Sequence, residues 1–90
     1  MKAIQVKSRG TAGVLKIETQ KKPSLGPNDA LVEMRAIGVN YIDVYMRSGI
    51  VKVDLPFTPG IEGAGVVTAT GSGVNQVSVG DLVGYTGSLG

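Results

Sequence analysis

Fourteen glycines in 90 residues decide how this chain can run. Glycine destabilises a helix interior by roughly 0.5–1 kcal/mol relative to alanine, and it supplies tight corners without steric cost. With only four aromatic residues beside them, these glycines point away from a packed helical bundle and toward strands joined by many turns. Length adds a second limit, because a chain this short buries only about 60% of the surface its unfolded form exposes. Domains of that size usually rely on staples or partners. A disulfide staple is excluded, since there is no cysteine, and histidine is absent too. Those two absences remove Cys/His zinc sites, triads built on histidine, haem held by a proximal histidine and an imidazole pH switch. At 42% hydrophobic and 18% charged residues, the chain is that of a globular domain rather than a disordered one.

No apolar run approaches the roughly 18 residues that cross a membrane, so no membrane partner is expected. The N-terminal stretch Met1 to Lys7 lacks a signal-peptide core, and a cytoplasmic location is the expectation. The net charge of +2 is unevenly spread. Residues 1–22 hold Lys2, Lys7, Arg9, Lys16, Lys21 and Lys22 against the single acid Glu18. A basic surface of this kind can meet nucleic acid, but here the lysines alternate with apolar residues and no aromatic is interleaved for base stacking. A solvated strand face is the better reading, with no nucleic acid partner.

Alternation predicts a strand over Lys2 to Lys7, a turn over Ser8 to Gly13 and a short strand over Val14 to Glu18. Pro23 to Asp29 reads as a loop. Ala30 to Val39 is the longest strand candidate, with Val32, Met34 and Ala36 on one face and Glu33 and Arg35 on the other. The period then changes: Tyr41 with Tyr45 and Ile42 with Met46 lie four apart, Asn40 can cap and Gly49 can close, which predicts a short helix. Pro56 and Pro59 rigidify a loop leading to Gly60–Gly65. Strands are expected at Val66 to Thr70 and Leu82 to Tyr85, with turns at Gly71–Gly73 and Val79–Asp81.

Three stretches are familiar as a set: Ala36 to Gly49 (AIGVNYIDVYMRSG), Pro59 to Val67 (PGIEGAGVV), and GSGV at 71–74 followed by VGDLV at 79–83. Their order and spacing resemble the N-terminal part of the medium-chain dehydrogenase/reductase superfamily, most closely its zeta-crystallin-like NADPH:quinone oxidoreductase branch. The resemblance implies a mainly β fold with short helices, a GroES-like, partly open β-barrel. In the zinc-dependent members the position of Asn40 is a cysteine ligand and that of Ile61 a histidine ligand. A carboxamide and an alkyl group are poor replacements, and Glu62 alone cannot hold zinc. Ile42 and Tyr45 likewise stand where proton-relay residues of some members would be. The resemblance therefore implies NADPH as cofactor, no zinc, and a quinone or activated carbonyl as substrate in the complete enzyme.

Carried over residue by residue, Asn40, Tyr41, Ile42, Asp43, Val44 and Tyr45 match the stretch lining the nicotinamide end of the cofactor cleft, with Asn40 and Tyr45 as the expected polar contacts. The competing reading for Tyr41 and Tyr45 is a helix face packed on the barrel; for Asp43, a surface ion pair with Arg47; for Glu62, a structural role. The glycines at 60, 63 and 65 are not a phosphate loop, because they precede a strand rather than open a helix.

Residues 1–90 thus read as one GroES-like N-terminal fragment of the catalytic domain, without a Rossmann domain and with the barrel incomplete, from a truncated product or a shortened or split gene. Taken alone, the chain is expected to be inactive and to self-associate or to depend on a partner fragment. The alternative from another class is a self-standing GroES-like binding module, a co-chaperonin relative, with which the VGDLV turn is shared. The helix at Asn40 has no place in that scheme, and no long mobile loop with an apolar tip is seen. A degenerate product without activity is a third reading.

Overall fold

The computed structural model describes residues 1–87. In chain order it forms β1 (Lys2–Val6), a single 3-10 turn (Ala12–Val14), β2 (Leu15–Thr19), β3 (Ala30–Ile37), α1 (Tyr41–Ser48), β4 (Glu62–Thr70) and β5 (Leu82–Thr86). β1 and β2 are an antiparallel hairpin in the register Ile4↔Ile17 and Val6↔Leu15. Alternation sets those four apolar side chains on one face. Burial along that face is uneven: Val6 is fully buried, whereas Ile17 stays 71% exposed. Val6 is buried because the hairpin meets the rest of the chain there. Its N–H donates to the Phe57 carbonyl at 2.9 Å, and its carbonyl accepts the Phe57 N–H at 3.1 Å. One residue earlier, the Gln5 side-chain amide donates to the Thr58 hydroxyl. On the opposite end of the charge scale, Lys7 and Glu18 form a 2.8 Å ion pair on the hairpin surface, worth at most about 1 kcal/mol. The second strand starts at Leu15, one residue later than the alternation implies, because the Val14 N–H is spent on the Thr11 carbonyl (3.0 Å) that closes the 3-10 turn.

β4 is the central strand of a three-stranded antiparallel sheet in the order β3-β4-β5. It begins at Glu62, four residues before the expected Val66, and the reason lies in its glycines. Read locally, Gly63 and Gly65 signal a turn. In the sheet they lie inside the ladder, opposite Ile37 and Met34. The register shifts between Leu31 and Val32 and between Met34 and Ala36, and these bulges press the β3 backbone onto β4. A Cβ on the buried Gly65 would run into the Glu33 carbonyl. Glycine within a strand marks such a close backbone approach. β3 ends at Ile37 instead of Val39, since β4 offers it nothing beyond a last long bond from the Gly38 N–H to the Glu62 carbonyl (3.4 Å). Glu33 and Arg35 share the exposed face as expected, 3.8 Å apart.

The two sheets are open and do not close into a barrel, which agrees with a mainly β GroES-like architecture. Molecular dimensions record the opening: 40 × 23 × 21 Å, with a radius of gyration of 14.2 Å. A compact domain of 100 residues would have about 13 Å. Between the hairpin and the larger sheet runs an apolar groove of about 1450 Å³, walled by Ile4, Leu15 and Ile17 on one side and Val32, Met34 and Val83 on the other. The fully buried hydrophobic side chains are Val6 and Val67, with Phe57 next at 7% exposed. No helix among the described residues is long and apolar enough to cross a membrane.

If backbone crowding rather than glycine's flexibility sets β4, two glycines of the same sheet should respond oppositely to a methyl group. Gly65→Ala should lower stability by about 2–3 kcal/mol, because the Glu33 carbonyl cannot move aside. Gly84→Ala, whose nearest obstacle is the Gly63 carbonyl at 3.6 Å, should change it by no more than about 0.5 kcal/mol. Urea unfolding followed by circular dichroism measures both.

Candidate functional site

α1 is short, and its two ends are both made from the sequence. Asn40 takes an extended conformation before the first turn, and its N–H donates to Asp43 Oδ2 at 2.8 Å, as in a capping box. At the other end Gly49 adopts the left-handed conformation (φ +93°) that glycine reaches without strain. The Tyr45 carbonyl there accepts the N–H groups of both Gly49 and Val51, each at 3.1 Å, and the Ser48 hydroxyl at 3.3 Å. Ile42, Val44 and Met46 turn partly inward, and no residue of the helix is fully buried.

The outward face carries the candidate residues. Tyr41 is 76% exposed and Tyr45 42% exposed, their ring centroids 6.0 Å apart and tilted by 45°. Tyr41 therefore does not pack on the sheet as a core residue would. Two aromatic faces at that separation form an interacting pair and present a flat apolar wall with two phenol groups. Asn40, also exposed, stands at the start of the same wall. Asp43 and Val44 line the apolar groove, and Asp43 Oδ1 is buried with no hydrogen-bond partner among the described residues.

The expected Asp43–Arg47 ion pair does not form. The carboxylate is held by the Asn40 amide, and Arg47 Nε instead donates to the Gly10 carbonyl at 3.1 Å. Main-chain partners on either side have claimed both charged groups. Glu62 is half-buried and folds against Gly38, two residues before Asn40, so closely that a Cβ on Gly38 would collide with its carboxylate. Sequence reasoning grouped Glu62 with Asn40 and Ile61, but it missed the two residues that share a pocket with Glu62, Tyr85 and Thr86. This pocket, of about 400 Å³, sits at the end of the three-stranded sheet with Gly63, Ala64 and Gly84 as its small-residue floor. The pairings Glu62↔Thr86 and Gly63↔Tyr85 bring the two residues there, and only strand register could have signalled it. Among the described residues no three His, Cys, Asp or Glu side chains lie close enough to share a metal ion.

Fold and site together define the class. Residues 26–88 match the alcohol dehydrogenase GroES-like domain, and the chain belongs to that family. Within it, the chain is similar to quinone oxidoreductases of the medium-chain dehydrogenase/reductase type. It is 45% identical over 91 residues to the quinone oxidoreductase of Pseudomonas aeruginosa, covering 99% of this chain and 28% of that protein. With a probable quinone oxidoreductase of Schizosaccharomyces pombe it shares 41% over 83 residues, 91% of this chain and 25% of the other. Among solved structures, Escherichia coli quinone oxidoreductase complexed with NADPH superposes with a TM-score of 0.93 at 35% identity, covering 99% of this chain and 28% of that one. The chain spans about a quarter of the length of these relatives.

The cap at Asn40 generates a test. Asp43→Ala removes the acceptor of the Asn40 N–H and should cost about 1 kcal/mol, fraying the first turn of α1. Faster amide exchange at residues 41–44, with β4 amides unchanged, is the expected signature.

Proposed function

We propose that this chain is the GroES-like part of a zinc-independent NADPH:quinone reductase, in which Asn40, Tyr41, Ile42, Asp43, Val44 and Tyr45 wall the nicotinamide end of the cofactor cleft. The observation that supports it most is chain-long likeness: 99% of the residues follow the backbone of a quinone oxidoreductase whose structure holds NADPH. The chemistry of the wall fits such a guest. Tyr41 and Tyr45 offer flat apolar surface and phenol hydroxyls, and Asp43 Oδ1 is a buried acceptor without a donor. A planar ring bearing a carboxamide satisfies both kinds of group, the ring against the tyrosines and the amide N–H at the carboxylate. The pyrophosphate does not fit here, because the amide end of α1 is already capped by the Asp43 carboxylate, which repels anions.

When bound, the nicotinamide supplies the hydride. The chain's own residues bind and orient. Tyr45 can donate a hydrogen bond to a carbonyl oxygen presented at the wall, and the apolar groove lowers the local water content. With neither cysteine nor histidine in the chain, this part of the enzyme has no thiolate or imidazole to bring zinc to an alcohol oxygen. An electron-poor acceptor, a quinone or a conjugated carbonyl, is the substrate class that needs no such activation.

Two experiments separate the whole enzyme from the chain. A chimera in which these 90 residues replace the matching segment of the Pseudomonas aeruginosa relative should reduce benzoquinone with NADPH, and it should bind no stoichiometric zinc after dialysis against a mild chelator. Faster oxidation of ethanol than reduction of benzoquinone, or retained zinc, contradicts the proposal. The chain by itself should show no NADPH binding at micromolar concentrations by calorimetry, and micromolar affinity in a monomeric sample would move the cofactor site. Because β5 is an edge strand with Leu82 78% exposed, the isolated chain should also self-associate or take up the complementary fragment. Light scattering that finds only monomer across the micromolar range, with and without that fragment, speaks against it.

A further inference from the structure

The turn after β1 and the last turn of α1 grip each other through Gly10 and Arg47, 37 positions apart. The Gly10 N–H donates to the Arg47 carbonyl at 3.1 Å, and Arg47 Nε donates back to the Gly10 carbonyl, also at 3.1 Å. Arg9 adds a second strap. Its Nη2 donates to the Val53 carbonyl at 3.4 Å, and its side chain lies over the Cα of Gly49, where a Cβ would meet Arg9 Cδ at 2.6 Å. Arg47 is half-buried in the last helical turn, where the carbonyl ends favour a cation, and it makes no ion pair among the described residues.

We propose that Arg47 is a positioning residue, which fixes the orientation of α1, and with it the Tyr41–Tyr45 pair, by holding the Gly10 main chain. The helix has no other strong seat. None of its residues is fully buried, so apolar packing alone leaves its rotation about its own axis weakly determined. Directional hydrogen bonds supply what packing does not. The grip reaches the tyrosines through a short rigid stretch: Arg47 is two residues from Tyr45, and the Tyr45 carbonyl ties that residue to Gly49 and Val51. The grip itself stands on geometry, while its value for aligning a nicotinamide rests on the proposed reductase reading. Nothing in the motif that carries the family likeness signals it, because the partner is a carbonyl of a turn far upstream.

The test uses the 90-residue chain with labelled tyrosines, observed by NMR without cofactor or quinone, so that a failed reductase assay and a failed grip are separate results. In Arg47→Ala the ring signals of Tyr41 and Tyr45 should move, and the Gly10 amide should exchange on the order of tenfold faster. The Tyr85 ring and the β4 amides should stay in place. Arg47→Lys keeps a donor and should recover part of the ring shift. Unchanged Tyr41 and Tyr45 signals in Arg47→Ala would overturn the proposal. So would a lysine variant no better than alanine, shifts that spread equally to Tyr85, or loss of the folded spectrum, since that would make Arg47 a support of the whole fold.

Discussion

Two hydrogen bonds between the main chains of Val6 and Phe57 carry more of this structure than any side chain does. The hairpin and the three-stranded sheet share no ladder, and this bridge is the only strand-like pairing that joins the hairpin to the segment feeding β4 among the described residues. Val6 and Phe57 are also two of the three buried hydrophobic residues, the third being Val67 at the centre of β4. A chain with so little interior cannot depend on apolar transfer alone, and its parts are aligned by directional contacts. The bridge aligns the hairpin, the Arg47–Gly10 exchange aligns the helix, and the groove between the sheets is the space these two joints leave open.

The candidate site follows from that arrangement. α1 springs from the end of β3, and its two tyrosines stay at the surface because its inward residues meet an open groove instead of a filled core. Next to it, the pairing of Glu62 with Thr86 places Tyr85 and Thr86 beside the Glu62 carboxylate. The wall at Asn40–Tyr45 and the pocket at Glu62 are built by different elements, yet both hang on Gly38. That residue ends the β3 ladder, and its lack of a Cβ leaves room for the Glu62 side chain.

Features written in short-range chemistry were legible before any coordinates. Asn40 and Gly49 bracket a helix whose caps need only their own neighbours, and the alternation of Lys2 to Val6 needs only a strand's two faces. The family likeness is carried by such local motifs as well. The start of β4 was illegible for the opposite reason: Gly65 reads as a turn until the Glu33 carbonyl, more than thirty positions earlier, is known to lie against it. Asp43 and Arg47 have the spacing of a helical ion pair, but each found a main-chain partner that spacing cannot foresee. Tyr85 and Thr86 entered the site through register, a property of two strands together. Non-local backbone contacts account for each of these misses.

The three-stranded sheet is finished differently at its two ends. Where β3 begins and β4 finishes, Gly71 and Gly73 donate to the carbonyls of Asp29 and Pro27, both at 2.8 Å, and Gly26 donates to the Asp29 carboxylate at 3.0 Å. A Cβ at Gly71 would strike the Gly26 and Pro27 carbonyls, so loop lies on loop with no side chain between them. At the other end the strands finish on Gly38, Glu62 and Thr86, around a pocket. A sheet welded at one end and free at the other behaves as a tuning fork: thermal bending has its node at Pro27–Gly73 and its greatest amplitude at the pocket. The width of the pocket is therefore the softest dimension of the sheet, and a guest there can adjust it while the distant turns stay still.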